Sequence, residues 1–139
     1  MRIVLDTNVL VSGLLSPFGP PGQIVALMAE GDLQPCFDSR IILEYRGVLL
    51  RPVFAFDPED VQTLIDYVES DGVEVVGRPL VVGLPHPADE AFLSVSVASS
   101  ARALITGNLK HFPSDSREGV LVISPAEFLD RYRDLMDSA

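Results

Sequence analysis

The sequence holds one cysteine, Cys36, and one lysine, Lys110. A lone cysteine excludes an intramolecular disulfide and makes a cysteine-based zinc site an unattractive reading. It is expected to act as a small buried hydrophobe, and its isolation fits a reducing, cytoplasmic setting. No stretch approaches the roughly 20 apolar residues a membrane helix needs, because Gly, Pro or charge interrupts every run. Met1-Arg2 leads directly into Ile3-Val4-Leu5, and Asp6 cuts that run short, so no signal peptide is expected at this end. Repeats, low-complexity tracts and long linkers are missing too. Three familiar catalytic or nucleotide signatures are also lacking: G-x-S-x-G, the P-loop and G-x-G-x-x-G.

What is present is a chain of 139 residues, 47% of them hydrophobic, with a net charge of −10. That size suits one domain with its own core, here residues 1–139. The acidity runs against the usual basic character of nucleic-acid proteins, whose affinity rests on phosphate contacts. A site of clustered carboxylates is acidic by necessity, however, and a bound divalent cation inverts the local charge. The bases are nearly all arginine, which suits bidentate phosphate contacts.

Short apolar runs alternate with helical periods, the mark of an α/β domain with a parallel sheet. Strands are expected at 2–6, 34–37, 73–76, 103–105 and 120–123. Helices are expected through Val9–Leu15, from Gln23 to Glu30, from Asp38-Ser39 through Leu49, from Asp57 through Val68, over Pro87 to Ala101 and after Ser124. The fold class is therefore three-layer α/β/α with a mostly parallel sheet of four to five strands. The stretch 87–101 is apolar nearly all round and predicts a buried helix. Ser124-Pro125-Ala126-Glu127 predicts a full capping box. Ser16 to Pro21, rich in Pro and Gly, predicts a loop.

Ligands of open parallel sheets bind outside the carboxyl ends of the strands. Asp6 closes the first strand and Asn108 follows the fourth. Asp89 and Glu90 open the buried helix, and Glu44 stands at the border of an apolar stripe formed by Ile41, Tyr45, Val48 and Leu49. Each acid has a plain alternative. Asp6 serves equally well as a helix N-cap, Asp89 and Glu90 as first-turn acids facing a helix dipole, and Glu44 as a solvated flank. Their arrival at one sheet edge favours a site of oxygen ligands for a hard cation. Such a site activates water and stabilises a leaving oxygen at phosphorus, with no cysteine or histidine nucleophile. Arg40, Arg46, Arg102 and Lys110 are candidate phosphate contacts.

Residues 2–15, RIVLDTNVLVSGLL, resemble the opening of a PIN domain: an apolar strand, then Asp-Thr-Asn or Asp-Thr-Ser, then an apolar helix. The stretch DEAFLSVSVASSARALITGN is similar to the later PIN pattern of acid, buried Ala-rich helix, strand and Thr-Gly-Asp. The ending ISPAEFLDRY resembles the close of a bacterial subfamily associated with toxin–antitoxin pairs. The resemblance spans nearly the whole chain. It implies a ribonuclease dependent on Mg²⁺ or Mn²⁺, with RNA as substrate, an antitoxin protein as partner and a homodimer as the assembled form.

Carried over by position, Asp6 matches the first metal-binding acid, Glu44 the second, and Asp89 or Glu90 the third. Thr106 and Asn108 match the loop that usually carries Thr and a fourth acid. Asp6, Asp89 and Glu90 are thus the metal candidates. Thr7, Asn8, Thr106, Asn108, Arg46 and Lys110 are the substrate-binding ones. Asn108 departs from the usual Asp, and His86 and Ala88 stand where related chains often carry acids. These departures leave open a binding module with weakened chemistry. His86 is expected at the surface and His111 near Phe112, while Phe18, Phe54 and Phe56 are candidate interface residues. A haloacid-dehalogenase-like phosphatase also begins with a strand ending in Asp. It needs a second Asp two residues on, where this chain has Asn8.

Overall fold

Five short strands lie side by side in the order β3-β2-β1-β4-β5, every neighbouring pair parallel. The computed structural model describes residues 1–137. The strands are β1 (Arg2–Leu5), β2 (Gln34–Phe37), β3 (Val73–Glu74), β4 (Leu104–Ile105) and β5 (Val122–Ile123). Six helices flank them: α1 (Thr7–Leu15), α2 (Pro20–Ala29), α3 (Ser39–Leu49), α4 (Pro58–Asp71), α5 (Glu90–Ser99) and α6 (Pro125–Asp137).

The central strand is β1, and its Ile3, Val4 and Leu5 are buried. A strand covered on both faces has to read as a continuous apolar run, as this one does. Its parallel neighbours are β2, with Arg2 opposite Gln34, and β4, with Val4 opposite Leu104. The chain first moves from β1 to β2 and β3, then returns across β1 to β4 and β5. The reversal leaves a crevice between the carboxyl ends of β1 and β4, the place where open sheets bind ligands.

The expected buried helix is α5, whose Ala91 to Ser96 are all buried and which packs on β1, β2 and β4. Its small polar residues satisfy themselves locally: Ser96 donates to the Phe92 carbonyl (2.7 Å) and Ser94 to that of Ala91 (3.3 Å). Asp38 caps α3 by accepting from the backbone N–H of Arg40 and Ile41. Tyr45, fully buried in α3, donates its hydroxyl to the carbonyl of Leu5 and so ties that helix to the end of β1.

Several boundaries differ from the sequence expectation, each for a physical reason. Helix α2 starts at Pro20, inside the expected loop. Prolines there sit in the first turn, where a missing N–H breaks no helical bond. Beyond β3, Val75 adds one further bond, to Phe37, before the chain leaves the sheet with Val76 exposed. The start of the 87–101 segment is a 3₁₀ turn, Pro87–Asp89. The capping box at α6 is half made: Ser124 accepts from the Glu127 N–H, while the Glu127 carboxylate faces Arg131 at 3.6 Å. Between α3 and α4 the chain adds a 3₁₀ turn, Pro52–Phe54, in a stretch too short to show a period. Phe18 is exposed as expected, but Phe54 and Phe56 are half-buried and stack on each other. Among the described residues no single helix is long and apolar enough to cross a membrane.

Candidate active site

Asp6 follows β1 directly and occupies the N-cap position of α1, yet its side chain makes no capping bond. The plain alternative of a structural cap is therefore not realised. Its Oδ2 instead accepts from the Thr106 hydroxyl at 2.8 Å and from Asn8 Nδ2 at 3.3 Å. Thr106 follows β4 and is fully buried. Parallel pairing of β1 with β4 brings these two residues level: the Asp6 N–H reaches the Ile105 carbonyl at 2.9 Å.

The turn after β4 is built on the same residues. Thr106 Oγ1 accepts from the Asn108 N–H, and Asn8 Oδ1 accepts from the Gly107 N–H, both at 3.0 Å. A Cβ at Gly107 would stand 3.4 Å from Asn8 Oδ1, so the turn runs close to that side chain. Asn8 and Thr106 thus brace the end of β1 against the end of β4.

Across the crevice stands Asp89, buried at the last position of its 3₁₀ turn. His111 Nδ1 lies 3.1 Å from Asp89 Oδ2, and His111 Nε2 lies 3.0 Å from Asn108 Nδ2. The His111 ring also packs on that of exposed His86, with centroids 4.0 Å apart. Glu44 is half-buried on α3 and accepts from the Thr7 hydroxyl. These groups line one cleft of about 330 Å³, containing Asp6, Thr7, Asn8, Glu44, Asp89 and His111.

The electrostatics follow from burial. Asp6 is pushed above the ordinary aspartate range chiefly by loss of water, and the charge of Asp89 adds to this, against the Thr106 hydrogen bond. Asp89 is raised for the same first reason, with the charge of Glu44 adding and that of His111 opposing. Two buried carboxylates that repel each other are a standing demand for positive charge.

An oxygen-rich set of this kind suits a hard divalent cation, which keeps several waters and needs only one or two carboxylates. Among the described residues no three His, Cys, Asp or Glu side chains form a ready metal cage. The carboxylates of the cleft that could hold such an ion are Asp6, Asp89 and Glu44, with the buried Thr106 hydroxyl behind Asp6.

Other sequence candidates lie elsewhere. Glu90, paired with Asp89 as an alternative third acid, is turned from the Asp6 cleft. It accepts from Arg40 Nη1 at 2.8 Å and from the Leu80 N–H at 2.6 Å. Adjacent helical residues face different directions, so one of the two had to turn away. Arg40 is committed to Asp38, Glu90 and Ser94. Arg46 faces Glu69 on α4 at 3.9 Å. Arg102 donates to the Leu135 carbonyl at 2.6 Å, near the end of α6. Lys110 is exposed on the turn after Asn108.

The cleft is also lined by Val11, Ser12, Val48, Arg51 and Phe54, which are not among the residues expected there. Helical spacing holds a signal for three of them, since Val11, Ser12 and Val48 stand four residues beyond Thr7, Asn8 and Glu44. His111, expected near Phe112, engages Asp89 and Asn108.

No curated protein shows a significant match to the chain. A family model described as PIN domain matches residues 2–110, a span that holds Asp6, Glu44, Asp89, Thr106 and Asn108. Its fold is of the nuclease type in general, as the acidic cleft at the β1–β4 crevice suggests. With more than half of its length matched, the chain belongs to the PIN domain family.

Proposed function

We propose that this protein is a ribonuclease that hydrolyses RNA phosphodiesters with Mg²⁺ or Mn²⁺. One observation carries the reading: Asp6 and Asp89, both buried and both raised, share a cleft at the crevice between β1 and β4. Asp6 is not spent on capping its helix. Groups held at such a cost in solvation are characteristic of functional sites.

In this reading Asp6 and Asp89 would hold the cation, which would supply Lewis-acid polarisation at phosphorus. Thr106 fixes the Asp6 carboxylate through Oδ2 and holds the following turn through the Asn108 N–H. Glu44, fixed by the Thr7 hydroxyl, takes the proton of the attacking water. Arg51 within the cleft and exposed Lys110 beside it contact phosphates. The chain is then the toxin of a toxin–antitoxin pair: its antitoxin covers the cleft, and it acts as a homodimer.

The test is incubation of the purified protein with mixed-sequence single-stranded RNA and Mn²⁺, beside Asp6→Asn and chelator controls. Cleavage lost in both controls is the expected result. Cleavage that survives Asp6→Asn would point to a contaminating nuclease and end the reading.

A second reading, a non-catalytic module that binds RNA or protein, is favoured by the chain Asn108–His111–Asp89. There the usual fourth acid is an amide and a histidine engages the third. Absence of cleavage by folded protein, with RNA binding retained, would select it.

A further inference from the structure

A second cavity, of about 360 Å³, adjoins the acidic cleft. Glu44 lines both, so the two share a wall. The second cavity has apolar sides from Ile41, Pro87, Ala88 and Phe92, with Arg40, Glu44 and Glu90 supplying its polar groups. Arg40 and Glu44 are four residues apart on α3 and therefore neighbours on one helical face.

Arg40 is unusually fixed. Its Nε and Nη2 both donate to Asp38 Oδ2, at 2.9 and 2.8 Å. Nη2 donates also to Ser94 Oγ at 2.6 Å, and Nη1 to Glu90 Oε2 at 2.8 Å. Four of the five N–H groups of a guanidinium are thereby used. The backbone at Gly77 passes so close that a Cβ there would stand 3.0 Å from Nη2 and 2.5 Å from Ser94 Oγ. The side chain nevertheless remains 40% exposed.

Two carboxylates neutralise this arginine, which makes it a poor phosphate ligand. What it retains is a rigid plane beside an apolar cavity. Guanidinium planes and aromatic faces are the surfaces on which proteins stack unpaired bases. We infer that the Arg40 cavity is a subsite for one unpaired nucleobase of the RNA whose backbone lies in the acidic cleft. Arg40 is its stacking plate and a specificity-determining residue. This rests on the ribonuclease reading for the placement of the RNA backbone, but base binding is measurable without cleavage.

The experiment uses an RNA hexamer containing one 2-aminopurine, whose fluorescence is quenched by stacking, titrated with the Asp6→Asn protein. Quenching on binding is expected. Arg40→Lys keeps the charge and removes the plane. Ala88→Leu fills the cavity from an exposed position, with no change to the core. Each, added to Asp6→Asn, is expected to abolish the quenching and weaken binding roughly tenfold, the scale of one stacked base. Thermal melts of both variants establish that they are folded, and Ala88→Leu decides the matter should Arg40→Lys unfold. Quenching and affinity retained in the folded variants would overturn the inference. Wild-type cleavage of the hexamer without quenching would overturn the subsite and leave the ribonuclease. Quenching without wild-type cleavage would keep the subsite and remove the ribonuclease.

Discussion

His111 Nδ1 lies 3.1 Å from Asp89 Oδ2, and the other nitrogen of the same ring lies 3.0 Å from the Asn108 amide. An imidazole thus spans the gap between an acid and the position where related chains usually carry another. Asn108→Asp adds a charge at the cleft edge facing His111. Because ligand charge count tunes cation affinity, Mn²⁺ binding should tighten by roughly an order of magnitude. Calorimetric titration of both proteins checks this, and equal affinities would show that position 108 does not act on the cation.

The raised Asp6 and Asp89 give a pH signature. An acid whose pKa is raised by folding binds its proton more tightly in the folded state. Its stabilising contribution is complete below the ordinary value of 3.8 and is lost as pH rises through the folded value. Metal-free wild type should therefore lose stability from this source as the pH is raised from about 4 toward neutrality. Asp6→Asn should lose less. Mn²⁺ competes with those protons and should raise the stability of wild type alone at neutral pH. Urea midpoints across pH, with and without Mn²⁺, measure both effects; parallel curves for the two proteins would refute the assignment.

Thr106→Val removes the hydroxyl that holds Asp6 Oδ2 while keeping the side chain's size. Loss of an outer partner of a metal-binding side chain typically weakens affinity or activity by about 10- to 100-fold. The same loss is expected here in Mn²⁺-dependent cleavage, with the fold retained by circular dichroism. Full activity would mean that Asp6 needs no support from β4.

Arg46 and Arg51 should behave differently. Arg46 stands in a partly exposed pair with Glu69 at 3.9 Å, the kind worth less than about 1 kcal/mol. Arg51 lines the acidic cleft. Arg51→Ala should lower the slope of log affinity against log salt by about one unit, and Arg46→Ala should leave it unchanged. RNA binding at a series of salt concentrations distinguishes the two, and equal slopes would exclude a phosphate contact at Arg51.

Much of this architecture was legible from apolar spacing. The run Ile3-Val4-Leu5 announces a strand covered on both faces, and the near-uniform apolarity of 87–101 announces a buried helix, of which 90–99 form α5. The 3₁₀ turn at 52–54 escaped because three residues show no period. It carries Phe54, and with it Arg51, to the cleft. Position along the chain brings Asp6, Glu44 and Thr106 to one sheet edge. It does not decide between Asp89 and Glu90, which are neighbours. Which of them faces the cleft depends on Arg40 and the Leu80 N–H, partners 50 and 10 residues from Glu90 that hold its carboxylate elsewhere. The role of Arg40 was hidden for the same reason, since a guanidinium's use depends on which carboxylates reach it in space.

The hydrogen bond between Thr106 and Asp6 joins residues 100 apart in the chain. On a ribosome adding about 5–20 residues per second, Asp6 is made roughly 5 to 20 s before Thr106 exists. Through that interval the nascent chain has the first acid but not the strand that seats it. The turn carrying Asn108 and His111 is later still. Assembly of the cleft therefore waits for β4 and the turn that follows it, and a chain interrupted before Thr106 would carry the earlier acids without the cleft.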